Sequence, residues 1–350
     1  MKIALCSTYV PFIKGGLRNI VEWLADELKS RGHTVEIIYI PWVDRPDLFI
    51  EQYQAVRAID LRGQADLAIC FRPPAYAIRH DNKVVWFIHH FREYYDLWNG
   101  PYSAREQNFE RCALRETIHR LDSEALGEAK AIYTNSQIVQ ERLKFFNNLE
   151  SKVLYPPIKN PERFHFQEIG NAIAYVCRVE HHKRQHLLIE AMAHCRTPVK
   201  LIIGGKTGNE SYESHLKSLI SKYQLENRVS FNNEWITEAD KITVLSQCLA
   251  AAYLPLDEDS YGYPTLEAAH SLKALISTTD SGGVLEFVKD NHNGFICEPN
   301  PKSLAAAIDS LYVNKPLAKR MGENAFAQIK EVQIDWQNVC SALIAQTGPC

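Results

Sequence analysis

The residues best placed for chemistry in this 350-residue chain are the nine from Asp259 to Glu267, Asp-Ser-Tyr-Gly-Tyr-Pro-Thr-Leu-Glu. They follow the apolar run Leu249 to Leu256, which reads as a buried strand. Pro264 stands where a first-turn proline is tolerated, so a helix is predicted through Leu266, Ala268, Ala269 and Leu272. A helix start offers N–H groups and a positive dipole end to an anion, and Gly262 lets a ligand approach the backbone closely. Asp259 and Glu267 flank the turn. Carboxylates accept hydrogen bonds from hydroxyls but repel phosphate, so acids beside an anion site suit a ligand with both a phosphate and a polyol part, such as a nucleotide sugar. A plain helix-start turn with solvated acids would use the same residue types.

Two cations, Arg178 and Lys183, lie five residues apart on the loop after a predicted strand, Ala172 to Cys177, and suit a diphosphate. When a glycosidic bond breaks, a leaving nucleoside diphosphate gains about one negative charge, which preorganised cations stabilise most in the transition state. A third candidate is His89, followed by His90, where the apolar strand Val84 to Ile88 ends in a cluster of polar and aromatic residues from Phe91 to Trp98. An imidazole there can donate to a sugar hydroxyl and titrates near neutral pH. Asp257-Glu258-Asp259 reads alternatively as an acid cluster for a divalent cation, but Arg178, Lys183 and the helix start already supply positive charge, so no metal is expected.

The elements that must position these residues alternate between apolar strands and helical stretches. Ile3 to Ser7, Thr34 to Ile40, Asp66 to Phe71, Val84 to Ile88 and Ala131 to Thr134 read as buried strands of one sheet. Ala172 to Cys177, Val199 to Ile203, Val229 to Phe231, Leu249 to Leu254, Ala274 to Ser277 and Phe295 to Cys297 form a second set. Asn135-Ser136 reads as a helix cap. Prolines and polar residues from Pro156 to about Glu168 form the linker. The fold class is therefore α/β, with two Rossmann-like doubly wound domains at 1–160 and 165–328, and a C-terminal helical stretch at 329–350 expected to pack back on the first domain. In such sheets ligands sit outside the carboxyl ends of the strands.

Composition narrows the function further. The chain is 46% hydrophobic and 23% charged with a formal net charge of −3, which argues against general nucleic-acid binding. Its nine cysteines have no metal or redox spacing and read as reduced thiols of a cytoplasmic protein. No run approaches the ~20 apolar residues of a membrane-spanning helix. Basic and apolar residues in Arg18 to Arg31 and Lys144-Phe145-Phe146 leave peripheral contact with the inner membrane face as an expectation. No Gly-x-Gly-x-x-Gly run argues for a nicotinamide cofactor, and none is expected.

The nine-residue stretch resembles the acid-x7-acid signature of the family 4 retaining glycosyltransferases, usually Glu-x-Phe-Gly-x-x-x-x-Glu, with Asp259 for the first Glu and Tyr261 for the Phe. Arg178 to Lys183 resembles the family's Gly-Arg-Leu...Lys-Gly motif, with Cys177 and Arg184 in place of its glycines. Asn135-Ser136, Tyr155-Pro156-Pro157, Leu201 to Gly205 and Ser281 to Phe287 fall in family order, so the resemblance spans about residues 1 to 345. It implies the GT-B architecture, in which two Rossmann-like domains face each other across a central cleft, the first on the acceptor side and the second binding a nucleoside-diphosphate sugar. It further implies that Gly15-Gly16 lie near the donor and that His89 contacts the donor sugar. Ile236 would lie in the loop that meets the base through its main chain, and Tyr261, Gly262, Tyr263, Pro264, Thr265 and Glu267 would complete the donor site around the catalytic Asp259. The activity implied is metal-independent transfer of a sugar, with retention, to an acceptor hydroxyl on a glycan or lipid-linked oligosaccharide. A GT-B nucleotide-sugar epimerase and a catalytically silent nucleotide-sugar-binding module are the alternatives.

Overall fold

The computed structural model describes residues 1–9, 16–43, 45–99 and 108–345. The chain divides into two compact units, one of residues 1–157 with 334–350 and one of residues 158–333.

The first unit is built on a six-stranded parallel sheet of β1 (Lys2–Tyr9), β2 (Thr34–Pro41), β3 (Leu67–Cys70), β4 (Lys83–Phe87), β5 (Ala131–Thr134) and β6 (Lys152–Val153), in the order β2-β1-β3-β4-β5-β6. Its helices are α1 (Gly16–Ser30), α2 (Phe49–Ala58), α3 (Phe109–Gly127) and α4 (Gln137–Asn147). The central strands β3 and β4 are buried along their whole length, as unbroken apolar runs in a parallel sheet require. The polar member of β4, Lys83, is satisfied inside the core: its ammonium donates to the carbonyl of Tyr76 at 2.7 Å and pairs with Glu128 at 3.0 Å. Ser136 caps α4 by accepting from the amide of Val139 at 3.1 Å.

The second unit repeats the plan with β7 (Ala172–Val176), β8 (Lys200–Gly204), β9 (Val229–Asn232), β10 (Ala250–Ala252), β11 (Ala274–Thr278) and β12 (Gly294–Cys297), all parallel, in the order β12-β11-β10-β7-β8-β9. Between and after them run α5 (Gln185–Met192), α6 (Glu210–Lys222), α7 (Glu238–Gln247), α8 (Tyr263–His270), α9 (Val284–Phe287), α10 (Pro301–Val313) and α11 (Lys315–Glu331). Strand β10 is shorter than the apolar run that predicts it. The amide of Leu254 donates to the Tyr175 hydroxyl at 3.0 Å instead of continuing the ladder, and the chain turns away. Helix α8 stops before Leu272, which takes φ 52°. The last helix, α12 (Trp336–Ile344), belongs to the first unit, where it packs on α1 and accepts from the Tyr133 hydroxyl at Ala342, 2.9 Å away.

One residue of the histidine pair at the end of β4 is part of this core. His90 is 2% exposed, lies against Tyr95 with ring centres 4.1 Å apart, and bonds through Nε2 to Asn147 Oδ1 at 2.8 Å. Burial pushes its pKa down to about 3, so it is neutral in the folded protein. Of the residues expected to touch lipid, Arg18 and Arg31 are paired with Glu22 and Glu27 on α1, and Phe146 packs on His119 with ring centres 5.8 Å apart, whereas Phe145 is 81% exposed. Among the described residues no helix is long and apolar enough to cross a membrane.

A lowered histidine pKa has a definite sign. Below the ordinary value of about 6.5 the unfolded chain takes up a proton that folded His90 refuses, so stability falls as the pH drops toward 3, by up to about 1.4 kcal/mol per pH unit. His90→Gln keeps an N–H for Asn147 and is expected to reduce the loss of thermal midpoint between roughly pH 6.5 and 4.5. An unchanged pH slope would show that other groups set the acid sensitivity.

Candidate functional site

Strand order in the second unit reverses between β7 and β10, which lie side by side while their connections lead to opposite halves of the sheet. The loops leaving these two strands hold most of the residues singled out above. Lys183 closes the short turn His181–Lys183 after β7 and is 7% exposed. Its ammonium donates to the Tyr253 hydroxyl at 2.7 Å and pairs directly with Glu258, while Tyr253 donates to Glu258 Oε2 at 3.0 Å. Burial opposes ionisation of Glu258, but Lys183 and then Tyr253 outweigh it and hold the carboxyl below its ordinary value. The backbone is tied as well: Tyr175 donates its hydroxyl to the carbonyl of Lys183, and the amide of Leu256 donates to the carbonyl of His182 at 2.8 Å.

The acidic loop is moulded by close backbone approaches. The amide of Gly283 donates to the carbonyl of Glu258 at 2.8 Å, and a Cβ on Gly283 would stand 2.6 Å from Cα of Ser260 and one on Gly282 2.5 Å from the carbonyl oxygen of Glu258, so these two positions accept no side chain. Gly262 takes φ 71°, and a Cβ there would come within 2.3 Å of the Tyr253 ring. Tyr261 is buried against Phe287, with ring centres 6.1 Å apart. Helix α8 then begins at Tyr263 with Pro264 in its first turn and no side-chain cap, while Thr265 donates its hydroxyl back to the carbonyl of Tyr261 at 2.6 Å. A helix start with no side-chain cap is suited to an external anion.

The two acids of the signature sit differently. Asp259 is half-buried on the loop, whereas Glu267 is buried in α8. Glu267 accepts from Lys241 on α7 at 2.5 Å, and Lys241 also pairs with Glu238 at 3.0 Å. Burial pushes the Glu267 carboxyl up, and Lys241 only partly reverses this.

Arg178 has a side chain 53% exposed, with its guanidinium 3.9 Å from Glu180. Ile236 is half-buried after β9, its Cδ1 2.8 Å from where a Cβ on Gly204 would stand at the end of β8, and the adjacent Trp235 is 72% exposed. Arg178, Lys183, Ile236, Asp259 and the residues from Tyr261 to Glu267 therefore all follow the carboxyl ends of strands of one sheet or lie on the helix behind β10. His89 lies in the first unit, half-buried at the end of β4, with Nδ1 2.6 Å from the carbonyl of His90. Gly16 is the first residue of α1, and Gly15 lies outside the described residues. Among the described residues no group of three or more His, Cys, Asp or Glu is arranged to hold a metal ion. Sequence reasoning missed Tyr253, the role of Glu258 as the partner of Lys183, and Lys241.

Comparison with known proteins agrees with this architecture. Residues 159–328 match the family model described as glycosyl transferases group 1, and residues 3–119 match that of the starch synthase catalytic domain. The chain is 25% identical over 285 residues to the human alpha-1,3/1,6-mannosyltransferase ALG2, a match covering 74% of this chain and 66% of the relative, so it spans just under two thirds of that protein's length. It is also 25% identical over 164 residues to the Escherichia coli O-antigen chain mannosyltransferase C, covering 46% of this chain and 42% of that one. Among solved structures, HepE of Anabaena in complex with UDP superposes with a TM-score of 0.74 at 18% identity, covering 99% of this chain and 100% of HepE. The sucrose-phosphate synthase of Thermosynechococcus elongatus superposes with a TM-score of 0.73 at 16% identity, covering 99% and 97%. The fold is that of the GT-B glycosyltransferases.

The Lys241–Glu267 pair makes the buried acid testable without any ligand. Lys241→Met leaves a buried carboxyl without its cation and is expected to cost about 3 kcal/mol in urea denaturation, whereas Lys241→Met with Glu267→Leu should recover most of that loss. Losses that simply add would show that the two side chains are energetically independent.

Proposed function

We propose that this chain, a family 4 glycosyltransferase of the GT-B fold, transfers a hexose with retention, and without a metal ion, from a nucleoside diphosphate to a hydroxyl of a glycan or lipid-linked acceptor. The observation that carries the reading is the gathering of Lys183, its partners Tyr253 and Glu258, and the uncapped start of α8 on the two loops of the switch point in the second unit. An ammonium has three N–H groups, and the two bonds of Lys183 leave the third for a diphosphate oxygen. The exposed guanidinium of Arg178, on the same loop, supplies a second cation.

In the reaction the bond from the anomeric carbon to the diphosphate oxygen breaks, and a bond to the acceptor oxygen forms. The acceptor proton passes to the departing phosphate, and the leaving group's added charge falls on Lys183, Arg178 and the dipole of α8. Attack from the side the leaving group vacates keeps the anomeric configuration and needs no protein nucleophile. Asp259 is assigned to the hydroxyls of the donor sugar and Glu267 to the ribose, since carboxylates accept from diols. Both curated relatives described above are mannosyltransferases, which supports a hexose donor and a glycan product.

Turnover of a hexose nucleotide with purified acceptor, followed by proton NMR of the product, tests the reading. The expected product keeps the donor's anomeric configuration, and the rate is expected to survive EDTA. An inverted product, or activity lost to EDTA and restored by magnesium or manganese, would contradict it. In the same assay Arg178→Ala should lower kcat by about tenfold or more with stability within about 0.5 kcal/mol of wild type, because an exposed cation serves the transition state and little else. An effect confined to KM would assign Arg178 to ground-state binding.

A further inference from the structure

Arg184 directly follows Lys183 and takes φ 57° and ψ 40°, the left-handed region where glycine is the usual occupant. The family pattern puts a glycine here. This chain keeps a backbone conformation suited to glycine yet fills it with the side chain that carries the most N–H donors, and those donors are directed at two neighbouring strand exits. Nε donates to the carbonyl of Leu254 at 2.7 Å, and Nη2 donates to the carbonyl of Pro255 at 2.9 Å and to Thr278 Oγ1 at 2.8 Å. Nη1 and Nη2 meet the two oxygens of Asp280 at 2.7 Å each, the forked geometry in which arginine and carboxylate match best.

The side chain is only 11% exposed, and the segments it joins carry the site: Leu254 and Pro255 lead from β10 into Glu258 and Asp259, while Thr278 and Asp280 lead from β11 into the Ser281-Gly282-Gly283 segment packed on that acidic loop. The backbone repeats the link, since the amide of Asp257 donates to the carbonyl of Asp280 at 3.0 Å. A lysine could reach one of these acceptors but could not span the carbonyls and the carboxylate in one plane.

We infer that Arg184 is a positioning residue of the donor site: its guanidinium fixes the exits of β10 and β11 against the loop of Lys183, so that Glu258 and Tyr253 hold the ammonium where the diphosphate arrives. The inference rests on the donor-site reading given above. It places the cost of a left-handed arginine at the site where a rigid loop is needed, and it accounts for the replacement of a glycine without calling on any contact between Arg184 and the ligand.

The test uses the full chain as wild type, Arg184→Gly, Asp280→Asn and the double variant, each measured for its ligand-free thermal midpoint and, by calorimetry, for its Kd with UDP, GDP and ADP. Glycine accepts the left-handed backbone, so Arg184→Gly removes the brace without adding strain; should it fail to fold, Asp280→Asn, which leaves the backbone of residue 184 untouched, carries the same test. Arg184→Gly is expected to weaken the tightest nucleoside diphosphate about tenfold with a midpoint within about 3 °C of wild type. Asp280→Asn should shift Kd in the same direction by about threefold to fivefold, and the double variant should be no weaker than Arg184→Gly alone, because both remove one link. A Kd within about twofold of wild type in Arg184→Gly, losses that multiply in the double variant, or affinity that falls only in step with the midpoint would each overturn the inference. A wild-type protein that binds none of the three nucleoside diphosphates overturns instead the donor-site reading, and the inference with it.

Discussion

A doubly wound parallel sheet must reverse its strand order once, and at that point two adjacent strands send their connections apart, leaving the space beyond their carboxyl ends open to a ligand. In the second unit the strands are β7 and β10, and the site is a consequence of what their loops carry. The loop of β7 brings Arg178 and Lys183, and that of β10 brings Glu258, Asp259 and the start of α8. The neighbouring exit of β11 contributes glycines that let its backbone lie on the acidic loop, with the amide of Gly283 bonded to Glu258.

The buried charges around the site are paired. Lys183 is held by Glu258 and Tyr253, Glu267 by Lys241, and Arg184 by Asp280. Such pairs lose hydration on burial and add little net stability, yet they fix the directions of their N–H groups before a ligand arrives. For the proposed transfer, in which a leaving group gains charge, fixed donors matter more than mobile ones, because no reorganisation is needed at the moment of bond breaking. Asp259 departs from the usual glutamate by one methylene. Its half-buried place on the loop, in contrast to the buried Glu267, keeps the two acids chemically distinct.

Much of the fold was legible because parallel strands buried on both faces appear as short apolar runs, and the runs ending in Phe71, Ile88, Thr134 and Cys177 mark strands in the structure. The helix start at Pro264 and the cap at Ser136 were legible for the same local reason. What escaped were partners far apart in sequence. Lys241 lies on α7, where only Ile242, Leu245 and Ser246 are buried, too few to display a helical face, so neither the helix nor its bond to Glu267 was visible in the sequence. Tyr253 looked like one more residue of an apolar strand, yet its hydroxyl meets Lys183, seventy positions away. In the sequence Glu258 reads only as part of an acid cluster for a metal ion, because no sequence pattern signals that a buried lysine needs an acid. The histidine pair shows the limit of reading residue types alone: His90 is a satisfied core residue, while His89 beside it remains half-buried at the strand end.

The central claim is that the switch point of the second unit receives a diphosphate. A crystal structure of the protein with its tightest nucleoside diphosphate tests that claim most directly. The account predicts diphosphate oxygens within about 3.2 Å of Lys183 Nζ and of a backbone amide in the first turn of α8, with the Tyr253 and Glu258 bonds to the lysine retained. A nucleoside diphosphate seated elsewhere on the chain, or bound with Lys183 still engaged only by Tyr253 and Glu258, would contradict it.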